Sequence, residues 1–197
     1  MRKVMLLLAL AAVATVAVVA VSSSGAASRP AAKSAAVSPS LVSWLAKARV
    51  ATAKYATNLN AAKAAGYGII TKMIPDMGFH YMNPKMTGFD PAKPPNLVYE
   101  KTAAGWQLGA VEWVFTSKPA KPPLPGATYG AFGAGCHYKD GSYVPAEAQD
   151  SCPATAPGSG AAFNFWHPNL ITFHVWLWYP NPAGLYSGTN ALVHPFN

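Results

Sequence analysis

The chain has 197 residues, of which 51% are hydrophobic and only 11% are charged. This composition excludes a disordered chain, and the 18 prolines and 16 glycines scattered along it exclude a long coiled coil. Basic residues outnumber acidic ones by 15 to 7, which gives a formal net charge of +8. Length and composition together predict one domain with enough apolar material to build a core.

The first 27 residues are organised like a secretory signal peptide. Arg2 and Lys3 precede an uncharged stretch from Val4 to Val21, and small residues surround Ala27. We therefore expect cleavage near Ala27 and a secreted or extracytoplasmic protein. The alternative is an uncleaved anchor, because the uncharged stretch just reaches the lower limit of length for spanning a bilayer.

Residues 28–40 are rich in serine, alanine and proline, which indicates a flexible linker. A single domain is predicted from 41 to 197. In its first part, apolar residues recur at steps of three and four between Leu41 and Ala62. This spacing predicts one amphipathic helix of about 25 residues, with Ser40 as its N-cap and Gly66 at its end.

The basic charge is concentrated in the linker and the predicted helix. Between residues 28 and 75 there are seven basic residues and no acidic one. Such a segment could make a weak contact with an anionic membrane surface or a cell-wall polymer, although a solvated helix surface is the commoner explanation. Nucleic acid is not an expected partner, because the chain is predicted to be exported and carries no recognised nucleic-acid motif.

The rest of the domain alternates short runs of β-branched and aromatic residues with clusters of proline, glycine and asparagine, which is typical of antiparallel β structure. The predicted strands are Phe79–Met82, Asn96–Glu100, Leu108–Phe115, Thr128–Phe132, Ala162–Trp166 and Leu170–Tyr179. Lys101–Gly105 is predicted to join the second and third strands as a hairpin. The expected fold class is α+β, with the N-terminal amphipathic helix packed on a small antiparallel β-sheet or barrel.

Cys136 and Cys152 are the only cysteines, and both lie in a segment with loop-like composition. In an exported protein they are expected to form a disulfide bond. By the chain-entropy model, closing a loop of this size stabilises the fold by about 3 kcal/mol. A catalytic thiol beside His137 is the alternative, but side chains of adjacent residues in an extended chain point apart.

Three polar residues are embedded in otherwise apolar predicted strands: His80, Glu112 and His174. A buried, ionised Glu112 would be very unfavourable unless it were protonated, paired or bound to a cation. No lysine lies between Lys101 and Lys118, and the arginines of the mature chain lie only in the linker or the helix. A histidine or a metal ion is therefore the expected counter-charge.

Two imidazoles and one carboxylate on neighbouring strands form a common type of mononuclear metal site. The sequence thus predicts that His80, Glu112 and His174 bind a divalent transition metal such as Zn, Fe, Cu or Mn, and that the protein is either a metal-dependent enzyme or a metal-binding protein. His167, His194 and His137 are candidates for a fourth ligand. The alternative is that each histidine is a hydrogen-bonded core residue and that Glu112 faces solvent.

The aromatic residues suggest a second kind of function. Five tryptophans and several tyrosines are concentrated in the β segment, and exposed aromatic rings can stack on sugars. A non-enzymatic module that binds a glycan or the cell wall is therefore the competing hypothesis. Core packing also accounts for these rings, because alternation places most of them among aliphatic neighbours.

Four segments resemble the motifs of an uncharacterised family of exported bacterial proteins. These motifs are "GMGxHYxNP", "LVYEP", "VAVEY" and "LHVWLWxxNPxGxF", and they correspond to segments beginning at Gly78, Leu97, Ala110 and Phe173. The resemblance implies that His80, Glu112 and His174 are the family's polar residues within apolar strands, and it implies no activity. Where the relatives have cysteine segments, this chain has Ile74-Pro75-Asp76 and Val193-His194-Pro195.

Overall fold

The computed structural model describes residues 38 to 193. The predicted signal peptide at 1–27 and most of the predicted linker at 28–40 lie outside the described residues, as does His194. Within the described range, no helix has both the length and the apolar character that crossing a bilayer requires.

The helical segment at the start of the domain is divided, so the prediction of one continuous helix is wrong. It consists of α1 at Pro39–Thr52, a 3₁₀ turn at Ala53–Tyr55 and α2 at Leu59–Ala64. The chain leaves the helical path because the Ala56 carbonyl accepts a hydrogen bond from the Leu108 amide, at 2.7 Å, in the sheet. Asn58 then starts α2 by accepting a hydrogen bond from the Ala61 amide at 3.0 Å.

The N-cap of α1 is Ser38 and not the predicted Ser40. The Ser38 hydroxyl accepts a hydrogen bond from the Leu41 amide at 3.2 Å. Pro39 occupies the first helical position, where its missing N–H leaves no hydrogen bond unmade. After α2, Gly66 has φ of +98°, the left-handed conformation in which helices often end.

Some of the positive charge in this segment contacts aromatic rings. Arg49 donates a hydrogen bond to the Leu177 carbonyl at 2.7 Å, and its guanidinium carbon lies 4.5 Å from the centre of the Trp178 ring. The Lys54 ammonium lies 5.0 Å from the Tyr55 ring centre. These cations therefore stabilise packing through cation–π contacts, in addition to any role at the surface.

The described residues form nine β-strands, which are β1 Gly68–Ile74, β2 Gly78–Met82, β3 Asn96–Thr102, β4 Gly105–Phe115, β5 Gly130–Phe132, β6 Gly135–Tyr138, β7 Tyr143–Pro145, β8 Phe163–His167 and β9 Leu170–Val175. β1, β6 and β7 fall where no strand is predicted. β9 ends at Val175, earlier than the predicted end at Tyr179, because the Trp176 amide bonds to the Leu185 carbonyl and no longer to the sheet.

The strands form two antiparallel sheets. The large sheet has six strands in the order β1-β2-β3-β4-β9-β5 and curls into a half-barrel, and the small sheet has the order β7-β6-β8. The hairpin predicted at Lys101–Gly105 is confirmed, since Thr102 pairs with Gly105 where β3 turns into β4. The mixed α and antiparallel β architecture predicted from the sequence is also confirmed.

Each face of the large sheet carries a different set of side chains. One face forms the main apolar core, to which Leu97, Val111 and Phe173 contribute together with residues of the helical segment. The opposite face carries Val98 and Ala110, and it also carries the polar residues singled out in the sequence. This second face lies towards the small sheet. Strand β1 of the large sheet contacts strands β6 and β7 of the small sheet.

The small sheet is anchored on its other side by the disulfide bond between Cys136 and Cys152, as predicted. Cys136 lies in β6 and not in a loop, and it packs with Tyr138 and other buried residues. Because neighbouring residues in a strand point to opposite faces, His137 lies on the face away from the disulfide. On that face, His137 Nδ1 lies 2.6 Å from the carbonyl oxygen of Ile70 in β1.

Candidate metal centre

Strand register aligns three polar side chains in one row across the large sheet. Asn96 in β3 is paired with Glu112 in β4, and Glu112 is paired with His174 in β9. Residues that lie directly opposite each other in an antiparallel pair share one face of the sheet, so all three side chains lie on the face towards the small sheet. Each of them is at least 96% buried.

His80 reaches this row from β2, although its own partner in β3 is Val98. Val98 lies two residues beyond Asn96, so His80 and Glu112 are on the same face. The curl of the sheet brings the imidazole ring inwards: His80 Nε2 lies 3.8 Å from Glu112 Oε2 and 3.5 Å from His174 Nε2. His174 Nε2 lies 3.4 Å from Glu112 Oε1.

These separations fit one metal ion held by the two Nε2 atoms and the Glu112 carboxylate, whose two oxygens each face one imidazole. Ligands about 2.0 to 2.2 Å from a tetrahedral ion are about 3.3 to 3.6 Å apart. The observed separations of 3.4, 3.5 and 3.8 Å require only small side-chain adjustments to reach that geometry. Among the described residues, His80, Glu112 and His174 are the group of this kind whose ligand atoms all lie within 4.8 Å of one another.

Thr71 in β1 orients the His80 ring. Its hydroxyl oxygen accepts a hydrogen bond from the His80 amide at 3.2 Å and lies 2.8 Å from His80 Nδ1. A ring held through Nδ1 presents Nε2 to Glu112 and His174, which is the usual arrangement behind a metal-binding imidazole. On the other side, His174 Nδ1 and Asn96 Oδ1 are buried and have no hydrogen-bond partner.

Burial determines the charge state of the metal-free cluster. It raises the pKa of Glu112 from 4.5 to about 8. It lowers the pKa of His174 from 6.5 to about 4, and burial together with the neighbouring His174 lowers the pKa of His80 to about 3. At neutral pH the metal-free cluster therefore holds a protonated carboxyl and two neutral imidazoles, and both imidazoles are in the form that binds metals.

His167 does not belong to this cluster, in contrast to its prediction as a further ligand. It lies at the end of β8 and lines the same cavity as the cluster, but its nitrogens are not within the group that could share an ion. The Nδ1 atom of His167 donates to the Pro168 carbonyl at 2.6 Å. His194, the other predicted ligand, lies outside the described residues.

Sequence reasoning missed Thr71 and Asn96. Asn96 directly precedes the apolar run Leu97-Val98-Tyr99, and the polar residue at the start of a predicted strand was a usable signal. Thr71 lies in β1, whose irregular register with β2 hides the alternation of apolar and polar residues. Its role depends on the approach of β1 to His80, which has no signature in the sequence.

A cavity of about 160 Å³ adjoins the cluster and lies between the two sheets. His80, Glu112 and His174 form part of its wall on the large sheet, and His137 and His167 form part of its wall on the small sheet. The rest of the lining is mainly apolar, with Thr71, Asn96 and Thr172 as its other polar residues. None of its residues within the described range is a lysine or an arginine, so histidines are the basic side chains of the lining.

The tryptophan rings do not form an exposed platform for sugars. Trp113 and Trp176 are 2% and 4% exposed. Every tryptophan and tyrosine in the described range is buried or half-buried. Trp166 and Trp178 are half-buried, and their indole N–H groups donate to the Ala146 carbonyl and to a threonine hydroxyl. These contacts account for the rings as packing residues, and the glycan-binding hypothesis stays a prediction.

The pH dependence of stability tests the charge state of the cluster. In chelator-treated protein, we expect the thermal midpoint to fall as the pH rises from 6.5 to 8.5. Glu112 has a raised pKa, so in this range the folded state retains a proton that the unfolded state has lost. The midpoint should also fall as the pH drops from 6.5 to 5, because His80, His137 and His174 have lowered pKa values and take up protons only in the unfolded state there. These three groups outweigh the single proton that folded Glu112 retains.

Differential scanning fluorimetry across this range measures both limbs. Glu112→Gln is the matched control, because it should abolish the alkaline limb and leave the acid limb in place. If the thermal midpoint of the chelator-treated wild type rose steadily up to pH 8.5, Glu112 would not be held in its protonated form.

Comparisons of the chain with protein-family models, with curated proteins and with solved structures find no match. The resemblance to a family of exported bacterial proteins therefore stays a prediction. The function has to be inferred from the site itself.

Proposed function

We propose that this protein binds one divalent transition-metal ion through His80, Glu112 and His174. The observation that carries the proposal is a buried carboxyl group with imidazole nitrogens 3.4 and 3.8 Å from its oxygens. An ionised carboxylate in that position needs a positive partner, and no lysine or arginine of the described residues lines the cavity. A metal ion shared with two neutral imidazoles supplies that charge.

The donor set narrows the choice of ion. Two imidazole nitrogens and one carboxylate oxygen suit Zn, Fe, Cu or Mn, whereas sites for soft ions are built from thiolates. Both cysteines are joined in the disulfide bond, so neither supplies a thiolate. Three protein ligands leave a coordination position open, which is characteristic of catalytic metal sites and not of structural ones.

The bound ion would act as a Lewis acid or activate water or oxygen at the open position. The residues of the chain have separate roles in this arrangement. Thr71 holds the His80 ring in place, the curled sheet orients Glu112 between the two imidazoles, and the apolar cavity wall limits access of water. A metal-dependent enzyme acting on a small molecule is the function that these features support best.

We also propose that the protein acts outside the cytoplasm. The signal-like segment at 1–27 and the disulfide bond between Cys136 and Cys152 both support this location. A weak contact of the basic N-terminal helix with anionic lipid or a cell-wall polymer fits the same location. The exposed Lys47 and Val50 on α1 are available for such a contact.

Metal analysis of the exported protein tests the metal site. We expect close to one equivalent of Zn, Fe, Cu or Mn per chain after dialysis without chelator, and metal-free protein after treatment with EDTA. Reloading should restore one equivalent and raise the thermal midpoint, because an ion that binds only the folded state stabilises it. Wild-type protein that neither retains nor takes up any of these ions would contradict the proposal.

A further inference from the structure

The small-sheet wall of the cavity carries two histidines that the proposed metal site does not use. His137 in β6 and His167 in β8 are diagonal neighbours on one face of the small sheet, and their ring centres are 4.9 Å apart. His137 stacks on Phe165, and His167 stacks on Phe132. Both imidazoles are therefore held in fixed positions on the wall that faces the metal site.

Hydrogen bonding determines which nitrogen of each ring carries the proton. His137 Nδ1 lies 2.6 Å from the Ile70 carbonyl, and His167 Nδ1 lies 2.6 Å from the Pro168 carbonyl. A carbonyl oxygen can only accept, so Nδ1 is the donor in both rings. In the neutral ring, Nε2 then carries a lone pair and can only accept a hydrogen bond.

His167 Nε2 is left without a partner. His167 is 7% exposed, and its Nε2 atom is buried and makes no hydrogen bond to the protein. Leaving a buried acceptor unsatisfied costs about 1 to 3 kcal/mol, so such atoms in folded proteins usually face a ligand or an ordered water. The position of His167 in the cavity wall makes a ligand of the cavity the natural donor.

The remaining lining restricts what kind of ligand can enter. Ile70, Ile74, Val114, Phe132 and Leu170 supply apolar surface, and no lysine or arginine is present in the described lining. A volume of about 160 Å³ is close to that of the apolar cavities of about 150 Å³ that admit benzene. Large sugars and multiply charged anions therefore do not match the cavity.

We propose that the cavity binds a small monocyclic molecule, which contacts the metal ion through an oxygen atom and donates an O–H hydrogen bond to Nε2 of His167. This inference rests on the proposed metal site and adds the substrate class. The ring of the ligand lies against the apolar wall, and the group that contacts the metal is its only charged part. His167 is thus a specificity residue and not a metal ligand.

Hydroxamates, which bind metals through oxygen, are suitable probes. Zinc-loaded protein, with its metal content measured first, is titrated by calorimetry with acetohydroxamate, benzohydroxamate, and the 3-hydroxy and 4-hydroxy derivatives of benzohydroxamate. Burial of the ring should make benzohydroxamate bind at least about tenfold more tightly than acetohydroxamate. One of the hydroxylated probes should bind about tenfold more tightly again, because a site built for a hydroxyl group disfavours the analogue that lacks it.

His167→Phe should abolish the preference for the hydroxylated probe while leaving the zinc content and the affinity for benzohydroxamate unchanged. His167→Gln retains an acceptor oxygen and should preserve part of the preference, so it provides a second variant if the phenylalanine form does not fold.

The possible failures are distinguishable. A zinc-loaded wild type that binds all four probes equally overturns the ligand proposal and leaves the metal site standing. Loss of zinc in both His167 variants would make His167 a metal ligand, which also overturns the proposal. A wild type that takes up no metal overturns the metal site and, with it, this inference.

Discussion

Replacing His174 by alanine is expected to weaken metal binding by roughly a hundredfold or more, since even partners behind the ligands contribute 10- to 100-fold to affinity. His174 Nε2 is the closest nitrogen to Glu112, at 3.4 Å, and it also lies 3.5 Å from His80 Nε2. Its removal leaves two ligands on the ion. Competition against a chromophoric chelator measures the change in affinity.

The matched control is His167→Ala. His167 is also a buried histidine and lines the same cavity, but it lies outside the group of potential ligands. The affinity of the His167→Ala variant for metal should stay close to that of the wild type. Thermal unfolding of both variants without metal shows whether each still folds. Equal affinities in the wild type and a folded His174→Ala variant would exclude His174 as a ligand.

Glu112→Gln is expected to separate metal binding from stability. The amide has nearly the shape of the protonated carboxyl but cannot become an anion, so affinity for a divalent ion should fall by about a hundredfold or more. Without metal, the variant should already be at least as stable as the wild type at pH 6.5, because the pKa of Glu112 is raised from 4.5 to about 8 and the folded wild type must keep a proton that its unfolded state has lost. The advantage of the variant in thermal midpoint should be larger at pH 8.5.

Parallel measurements of metal affinity and thermal midpoint in chelator-treated protein provide this comparison. An affinity that does not change would show that the carboxylate is not a ligand. If the variant were unfolded at pH 6.5 with no metal present in either protein, Glu112 would instead be a structural hydrogen-bond partner of the two histidines.

The candidate site was accessible from the sequence because its polar residues interrupt apolar strands. His80 and His174 are flanked by aromatic and β-branched residues, and Glu112 lies in a run that offers no basic partner. Burial of such residues requires compensation, so their local surroundings already indicate a special role. The six strands predicted by alternation and turn residues also appear in the structure, with changes at their ends.

The errors arise where distant contacts override local preference. The apolar spacing continues to Ala62, yet α1 ends at Thr52, and the Ala56 carbonyl beyond it bonds to Leu108, far along the chain. β6 and β7 are only four and three residues long, and their composition is that of a loop. They exist as strands because the sheet with β8 pairs their backbone groups.

The sequence by itself determined which polar side chains are buried in apolar strands, that the two cysteines pair, and that the domain combines helix with antiparallel sheet. These properties follow from residue type and local alternation. Only the tertiary structure decided that Glu112 is paired with His174, that the curl of the sheet brings His80 to both, and that His167 lines the same cavity but lies outside the group of His80, Glu112 and His174. Register and curvature depend on pairing between residues as far apart in the chain as Val111 and Val175, and local sequence carries no record of that pairing.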